Sequence, residues 1–325
     1  MDLKTNYMGL TLNNPIVVSS SGFTNNIDSI KKIAGYGAGA VVLKSLFEEQ
    51  IVHEIDVKLK DNEMYFWYPE AKDYVQHISK NHGIEQYLDL IKEAKKAVDI
   101  PVIASINCMT PAEWPAFSKR VQDAGADGLE LNISILPTND EISSCDIEML
   151  YIEIVEAVKK HTTLPIAVKI SPYFTNLSLL CSGLAKAGAD AIVLFNRYYK
   201  PDIDINKMAV IPNKYYSNSD ELSESIRWIG LLSQKNMCHF AASTGIHKGD
   251  DVIKALLVGA EAAEIATVLY KNGLEYIPVM LTHMKKWMEN KGFTSLSEFR
   301  GKLAKGKEAN FAFERVQFMK KTTNV

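Results

Sequence analysis

Two short phrases alternate along this chain, and together they leave few folds open. In the first, a helix ends on Gly-Ala and a β-rich run follows. It reads Gly39-Ala40-Val41-Val42-Leu43-Lys44, Gly125-Ala126-Asp127-Gly128-Leu129-Glu130, Gly188-Ala189-Asp190-Ala191-Ile192-Val193 and Gly259-Ala260-Glu261-Ala262-Ala263-Glu264. Glycine suits the left-handed position that closes a helix, and alanine lets helix and strand pack closely. The second phrase is proline ahead of an apolar run, as in Pro15-Ile16-Val17-Val18, Pro101-Val102-Ile103-Ala104 and Pro165-Ile166-Ala167-Val168. Proline at the first residue of a strand removes no ladder donor. Met237-Cys238-His239-Phe240 fills the fourth such slot without proline. Interleaved, the phrases predict eight strands beginning near residues 15, 40, 101, 127, 165, 190, 237 and 262. Between them lies room for crossover helices such as Glu85 to Val98 and Ile147 to Lys160. Strands apolar on both faces are parallel and helix-covered. Eight β-then-α units predict an α/β chain folded as one (β/α)8 TIM barrel domain over residues 1–325. A doubly wound open sheet is the alternative, but it does not demand eight units, and the chain has no GxGxxG fingerprint.

Composition narrows the function classes. A formal charge of −3 gives no general attraction to nucleic acid or anionic membrane, so neither is expected as a partner. The N-terminus lacks a signal-peptide layout, and no apolar run approaches the roughly 20 residues that span a bilayer. Cys108, Cys145, Cys181 and Cys238 lie far apart, without the close spacing of a zinc or iron–sulfur site, so no metal is expected. A reduced, cytoplasmic enzyme is the plain reading.

Two connections exceed a simple return: Phe47 to about Asn81, and Arg197 to about Ser225. Both follow strand C-termini and are expected as long loops over the barrel mouth, either as lids or as a dimer contact or decoration of the crossover. Active sites of barrels lie at that mouth. There the strand ends offer Ser20-Ser21-Gly22, Lys44-Ser45, Asn107-Cys108, Asn132, Lys169, Asn196, Ser243-Thr244-Gly245 and Ala266-Thr267. A buried lysine needs a partner, so Lys44 and Lys169 meet either an anionic ligand or an internal acid such as Glu130. Loops after strands 7 and 8 commonly bind phosphate through main-chain N–H groups. Lysines together with Thr244-Gly245 and Ala266-Thr267 describe a phosphorylated, electron-accepting cofactor, a description that FMN meets.

The same residues carry a family likeness. Asn14-Pro15-Ile16, Ser20-Ser21-Gly22, Lys44-Ser45, Glu130-Leu131-Asn132-Ile133-Ser134, Val168-Lys169-Ile170-Ser171-Pro172 and Asn196 occur in order, followed by Ser243-Thr244-Gly245-Ile246 and Gly292-Phe293-Thr294-Ser295-Leu296. In these, nearly the whole chain resembles the dihydroorotate dehydrogenase family, especially its soluble class 1 members, which are commonly homodimers. The resemblance implies FMN, with Lys44 and Lys169 near the isoalloxazine, Ser21 and Ser45 touching the ring, and Ser20 and Phe195 also binding the cofactor. It implies Asn132 between flavin and substrate, and Thr244, Gly245, Ala266 and Thr267 at the phosphate. Lys44, Asn132, Asn196 and Arg197 become the substrate candidates, with Lys44 and Asn132 also catalytic.

Departures from the family pattern fall on the substrate side. The family loop N-x-S-C-P-N or N-x-S-S-P-N places a base fourth, where this chain has Ile135 in Asn132-Ile133-Ser134-Ile135-Leu136-Pro137-Thr138-Asn139. Isoleucine accepts no proton, which leaves Ser134, Thr138 or a displaced Cys108 as candidate bases, and Cys108 has the alternative of plain packing. The Asn-rich substrate loop is replaced by Asp61-Asn62-Glu63-Met64-Tyr65-Phe66-Trp67, and a glycine-rich phosphate loop by Leu222-Ser223-Glu224-Ser225-Ile226-Arg227-Trp228. Arg197 stands after Asn196 in place of a small hydroxyl residue, to grip a substrate carboxylate or to pair with an acid of the protein. The leading expectation is an FMN-dependent oxidoreductase that oxidises dihydroorotate, in pyrimidine biosynthesis, or a related cyclic dihydro-compound, with a soluble electron acceptor. The alternatives are an ene-reductase or dihydropyrimidine-like activity, and a flavin-binding protein without turnover.

Overall fold

The computed structural model describes residues 1–47, 69–107, 113–136, 138–198, 200–212, 216–304 and 313. The chain opens with a hairpin of β1 (Thr5–Tyr7) and β2 (Leu10–Leu12), followed by β3 (Ile16–Val18), α1 (Ile27–Gly35), β4 (Ala40–Val42) and a short β5 (Leu46–Phe47). Next come α2 (Pro69–Ala97), β6 (Val102–Asn107), α3 (Glu113–Asp123), β7 (Gly128–Asn132), α4 (Ser144–Lys159), β8 (Ile166–Ile170), α5 (Leu177–Lys186) and β9 (Ala191–Leu194). A second hairpin, β10 (Pro201–Asp204) and β11 (Ala209–Pro212), precedes α6 (Leu222–Leu232) and β12 (His239–Ser243). The chain continues through α7 (Gly249–Leu257), β13 (Ala262–Ile265), α8 (Thr267–Asn272) and α9 (Tyr276–Lys291). Eight parallel strands close on themselves in the order β3-β4-β6-β7-β8-β9-β12-β13, with β5 extending the sheet beside β6. The fold is the expected (β/α)8 barrel, and each strand begins within two residues of the place the two phrases indicate.

The chain divides into two compact units, one of Val18–Lys169 with Phe174–Asp190, the other of Met1–Val17, Ile170–Tyr173 and Ala191–Val325. In the first unit the Gly-Ala turns do more than end helices. Gly125 and Gly188 adopt φ of 95° and 108°, open to glycine but costly for other residues. The acid two residues later then binds the neighbouring strand twice. The Asp127 N–H donates to Val102 O at 2.9 Å, while its carboxylate accepts from Val102 N–H at 2.7 Å. Asp190 repeats this at Ile166, at 2.8 and 2.9 Å. Lys95 answers Asp127 at 2.6 Å and Lys159 answers Asp190 at 2.9 Å, each from the helix that leads into the neighbouring strand. Helix α4 starts on Ser143, whose hydroxyl accepts from Asp146 N–H while the Asp146 carboxylate accepts from Ser143 N–H.

In the second unit Glu261 plays the same part, exchanging N–H bonds with Phe240 at 2.8 and 2.7 Å. The connection expected as a mouth loop from Arg197 is the β10–β11 hairpin followed by α6, and the hairpin's Ile203, Ile205, Met208 and Val210 are exposed. The other connection differs from expectation too. Helix α2 begins at Pro69, well before Asn81, since proline suits a first helical turn. The aromatic run Tyr65 to Tyr68 and the loop Asp61 to Trp67 lie outside the described residues. Among the described residues, no helix is long and apolar enough to cross a membrane.

Burial pushes the Glu261 carboxyl up to about 7 from 4.5, against the lowering pull of the Phe240 N–H and of Arg300. Between those two values the folded chain holds a proton that the unfolded chain has released. Stability from this group is therefore present at low pH and falls as pH rises through that window. Unfolding free energies from denaturant titrations between pH 4.5 and pH 8 should decline less in Glu261→Gln than in the parent, by a difference on the order of 3 kcal/mol; parallel curves would refute this.

Candidate functional site

Along β6, β7 and β8 the register sets polar residues side by side: Ser105 beside Glu130, and Asn132 beside Lys169. Successive strand residues point to opposite faces, so Glu130 and Asn132 share one face of β7. All four are buried in this first unit, and burial forces them to find partners. The Lys169 ammonium donates to Ser19 Oγ at 3.1 Å and stands 3.8 Å from Glu130 Oε1. Lys169 thus has Glu130 as an internal partner. Lys44 behaves otherwise. It is exposed rather than buried, and its main-chain N–H donates to Thr24 O at 3.2 Å.

A chain of hydroxyls runs inward beside Lys44. Ser45 N–H donates to Ser20 Oγ at 2.8 Å, the Ser20 and Ser45 hydroxyls are 3.2 Å apart, and Ser45 and Ser105 are 2.6 Å apart. Its inner end is fixed by Tyr87 of α2, whose hydroxyl donates to Ser105 O at 2.9 Å and accepts from Ser105 N–H at 2.8 Å. Burial raises the Tyr87 phenol, and the Ser105 main chain offsets only part of that rise, so Tyr87 stays neutral. Tyr151 of α4 serves β7 in a similar way, donating to Ile133 O and accepting from Ile135 N–H, each at 3.2 Å. That bond anchors the departing loop, on which Ser134 is exposed and Ile135 half-buried. Neither tyrosine carries a sequence signal beyond its place on a helix. Ser21 follows Ser20 half-exposed, and Cys108 lies outside the described residues.

The second unit gathers the remaining candidates. Thr244 and Gly245, after β12, both take left-handed conformations, with φ of 72° and 79°. For threonine that is a strained state, and its hydroxyl is held by donation to Phe195 O at 3.1 Å. Gly245 cannot carry a side chain, because a Cβ would press on the main-chain nitrogen of Leu222 and lie 3.0 Å from Asn218 O. Thr267 Oγ1, after Ala266, accepts from Ser217 N–H at 3.3 Å, and Ser217 Oγ meets His247 Nε2 at 3.1 Å. Burial and the nearby Lys271 hold His247 below the usual imidazole range.

Asn196 and Arg197 line a cleft of about 400 Å³ with Tyr173, Tyr198, Glu221 and Thr244 among its other walls. Arg197 Nε donates to Glu221 Oε2 at 3.0 Å and Nη2 to Tyr216 O at 3.3 Å. So Arg197 pairs with an acid of the protein, the second of its two expected roles. Burial alone would raise Glu221, but the Asn218 N–H and Arg197, with the charges of Arg197 and Lys200, outweigh it and hold the carboxyl low. Glu221 was not among the residues singled out from the sequence, since nothing local ties it to a residue 24 positions earlier. Among the described residues no group of His, Cys, Asp and Glu could hold a metal ion.

Comparison with known proteins agrees with this picture. The profile of the dihydroorotate dehydrogenase family matches residues 78–288. The chain is 28% identical to the dihydroorotate dehydrogenase B (NAD(+)) catalytic subunit of Pyrococcus furiosus, over 93% of this chain and 98% of that one. It is 27% identical to the same-named subunit of Thermoplasma volcanium, over 92% and 98%. It is 25% identical to the NAD-dependent dihydropyrimidine dehydrogenase subunit PreA of Escherichia coli K12, over 92% of this chain and 76% of that one. With the family profile covering well over half of its length, this chain belongs to the dihydroorotate dehydrogenase family of flavin-dependent oxidoreductases.

Proposed function

We propose that the chain is an FMN-dependent dehydrogenase that oxidises dihydroorotate or a related cyclic dihydro-compound, the former placing it in pyrimidine biosynthesis. The observation that carries this reading is the set of donors at the ends of β3, β4, β7 and β8. Hydroxyls of Ser20 and Ser45, the exposed Lys44 ammonium, the Asn132 amide and the paired Lys169 suit the carbonyl and nitrogen edge of a flavin ring. Ser21 and Phe195 complete the set assigned to the ring. Thr244, Gly245, Ala266 and Thr267 suit a phosphate, because their backbone approaches without bulky side chains. Bound FMN supplies the two-electron acceptor.

The residues of the chain do the rest. Oxidation breaks two C–H bonds on adjacent ring carbons and forms a C=C bond, one hydrogen leaving as hydride and the other as a proton. Lys44 and Lys169 stabilise negative charge on the reduced acceptor, an electrostatic role. Asn132 and Asn196 orient the ring through their amides. Ile135 cannot receive the proton, and Ser134 is the adjacent hydroxyl assigned to that task, with Cys108 as its competitor. The names of the relatives carry NAD and the word subunit, which supports a soluble acceptor reached through a partner. A cytoplasmic homodimer completes the reading.

The purified protein should show a flavin absorption spectrum that bleaches on anaerobic addition of dihydroorotate or a related dihydro-compound. A protein that takes up no FMN would sink the proposal. Lys44→Ala should keep the flavin and slow bleaching about 100-fold, as loss of one stabilising electrostatic contact does. Cys108→Ala should leave the bleaching rate as it is; a collapse of the rate would move the base from Ser134 to Cys108.

A further inference from the structure

Resting on the dehydrogenase reading with Ser134 as base, we infer that Tyr151 is the positioning residue of the active-site loop. Its phenol holds Ser134 in place by standing in for a rung of the barrel. Strand β8 accompanies β7 as far as Asn132, which lies opposite Lys169. The residues that follow leave the strand, with Ile135 where the family carries its base. In a parallel ladder, a residue of the neighbouring strand donates its N–H to one carbonyl and accepts the N–H two residues further on. The residue between those two is the one it faces. The Tyr151 hydroxyl makes the same pair of bonds. It donates to Ile133 O and accepts from Ile135 N–H, each at 3.2 Å, so the residue it faces is Ser134.

One oxygen thus holds both peptide groups that flank Ser134. Turning either peptide takes Ile133 O or Ile135 N–H off the phenol, so the main chain on both sides of Ser134 is committed. The phenol is itself fixed. Tyr151 is fully buried on α4, and its ring meets Phe174 edge-on, with centroids 5.2 Å apart and planes at 87°. The reciprocal cap of Ser143 and Asp146 secures the start of the same helix. Ile133 is buried whereas Ser134 is exposed. The clamp therefore grips the main chain from inside the protein and leaves the serine hydroxyl in the open. The device occurs a second time in this unit. Tyr87 of α2 takes both the N–H and the C=O of Ser105, at the level where β4 has ended and Ser45 meets Ser105. Each phenol serves a serine where the strand beside it has stopped. Spending a buried hydroxyl on such a place keeps a departing chain in one conformation, which a loop left to itself does not have.

The test is a double-mutant cycle on the FMN-loaded full chain, with Tyr151→Phe and Ser134→Ala made singly and together. Phenylalanine keeps the ring and removes only the hydroxyl. Rates are read as flavin bleaching by dihydroorotate or dihydrouracil, whichever the parent oxidises faster. Tyr151→Phe should lower the maximal rate about tenfold, with FMN uptake and the half-saturating concentration held within about twofold. In the Ser134→Ala background the same substitution should cost nothing further, because residues that act as one unit are not additive. A merely structural loss slows both backgrounds alike; that result, or an unchanged rate in Tyr151→Phe, would overturn the inference. Hydrogen exchange gives a reading that needs neither turnover nor flavin. The Ile135 amide should exchange about tenfold faster in Tyr151→Phe while the amides of β7 keep their rates, and unaltered exchange at Ile135 would also overturn the inference. Should Tyr151→Phe not fold, Phe174→Leu, which loosens the seat of the phenol and keeps its hydroxyl, carries the same two readings at about threefold. Ser134→Ala at the parent rate would instead sink Ser134 as the base, and a parent bleached by neither compound would sink the dehydrogenase reading for them. In both cases the exchange rate still decides whether Tyr151 holds the loop.

Discussion

Where a helix hands over to a strand, one acidic residue exchanges two hydrogen bonds with the residue beside it on the neighbouring strand, and much else follows from this bond pair. Asp127 does so with Val102, Asp190 with Ile166 and Glu261 with Phe240. A one-residue slip of a strand turns every side chain to the opposite face. Because the exchange fixes where each strand begins, it also fixes which residues lie side by side several positions later, at the other end. Ser105 beside Glu130 is a consequence of Asp127 beside Val102. The lysines that answer Asp127 and Asp190 come from the helices that lead into the neighbouring strands, so helix position and strand register are set together.

At the far ends of the strands, polar side chains settle their own accounts before any ligand arrives. Lys169 leans on Glu130 and Ser19, the serines that follow β3 and β4 form a hydroxyl chain with Ser105 of β6, and Arg197 turns to Glu221. A buried charge without a partner is costly, whereas a paired one is tolerated. Pairing leaves Lys169 neutralised by Glu130 inside the first unit, where Lys44 is exposed, and joins Arg197 to Glu221 in the second.

The barrel was legible because its signals are local. Gly-Ala turns, proline before apolar runs and their alternation each need only a few neighbouring residues, and they located all eight strands. The polar strand ends were legible for the same reason. What stayed hidden depends on residues distant in sequence. Nothing near Arg197 announces Glu221, and nothing near Ser105 announces that Tyr87 will cap its main chain from both sides. The exposure of Lys44 was missed because apolar neighbours suggest burial, while the strand ends at Val42 and the chain is already leaving it. The hairpin β10–β11 escaped because its segment, with tyrosines and prolines, carries loop chemistry at both ends.

Glu221 joins two properties that proteins usually keep apart. The same carboxylate closes the turn ahead of α6 and sets the charge available to Arg197. Selection for a different ligand charge therefore acts on a residue that the helix start also needs. A lineage that replaces Glu221 loses a hydrogen bond of the turn in the same step as it frees the guanidinium. Such a change costs less once a second substitution has secured the turn, so the order in which mutations arrive, and not only their sum, shapes how this cleft evolves.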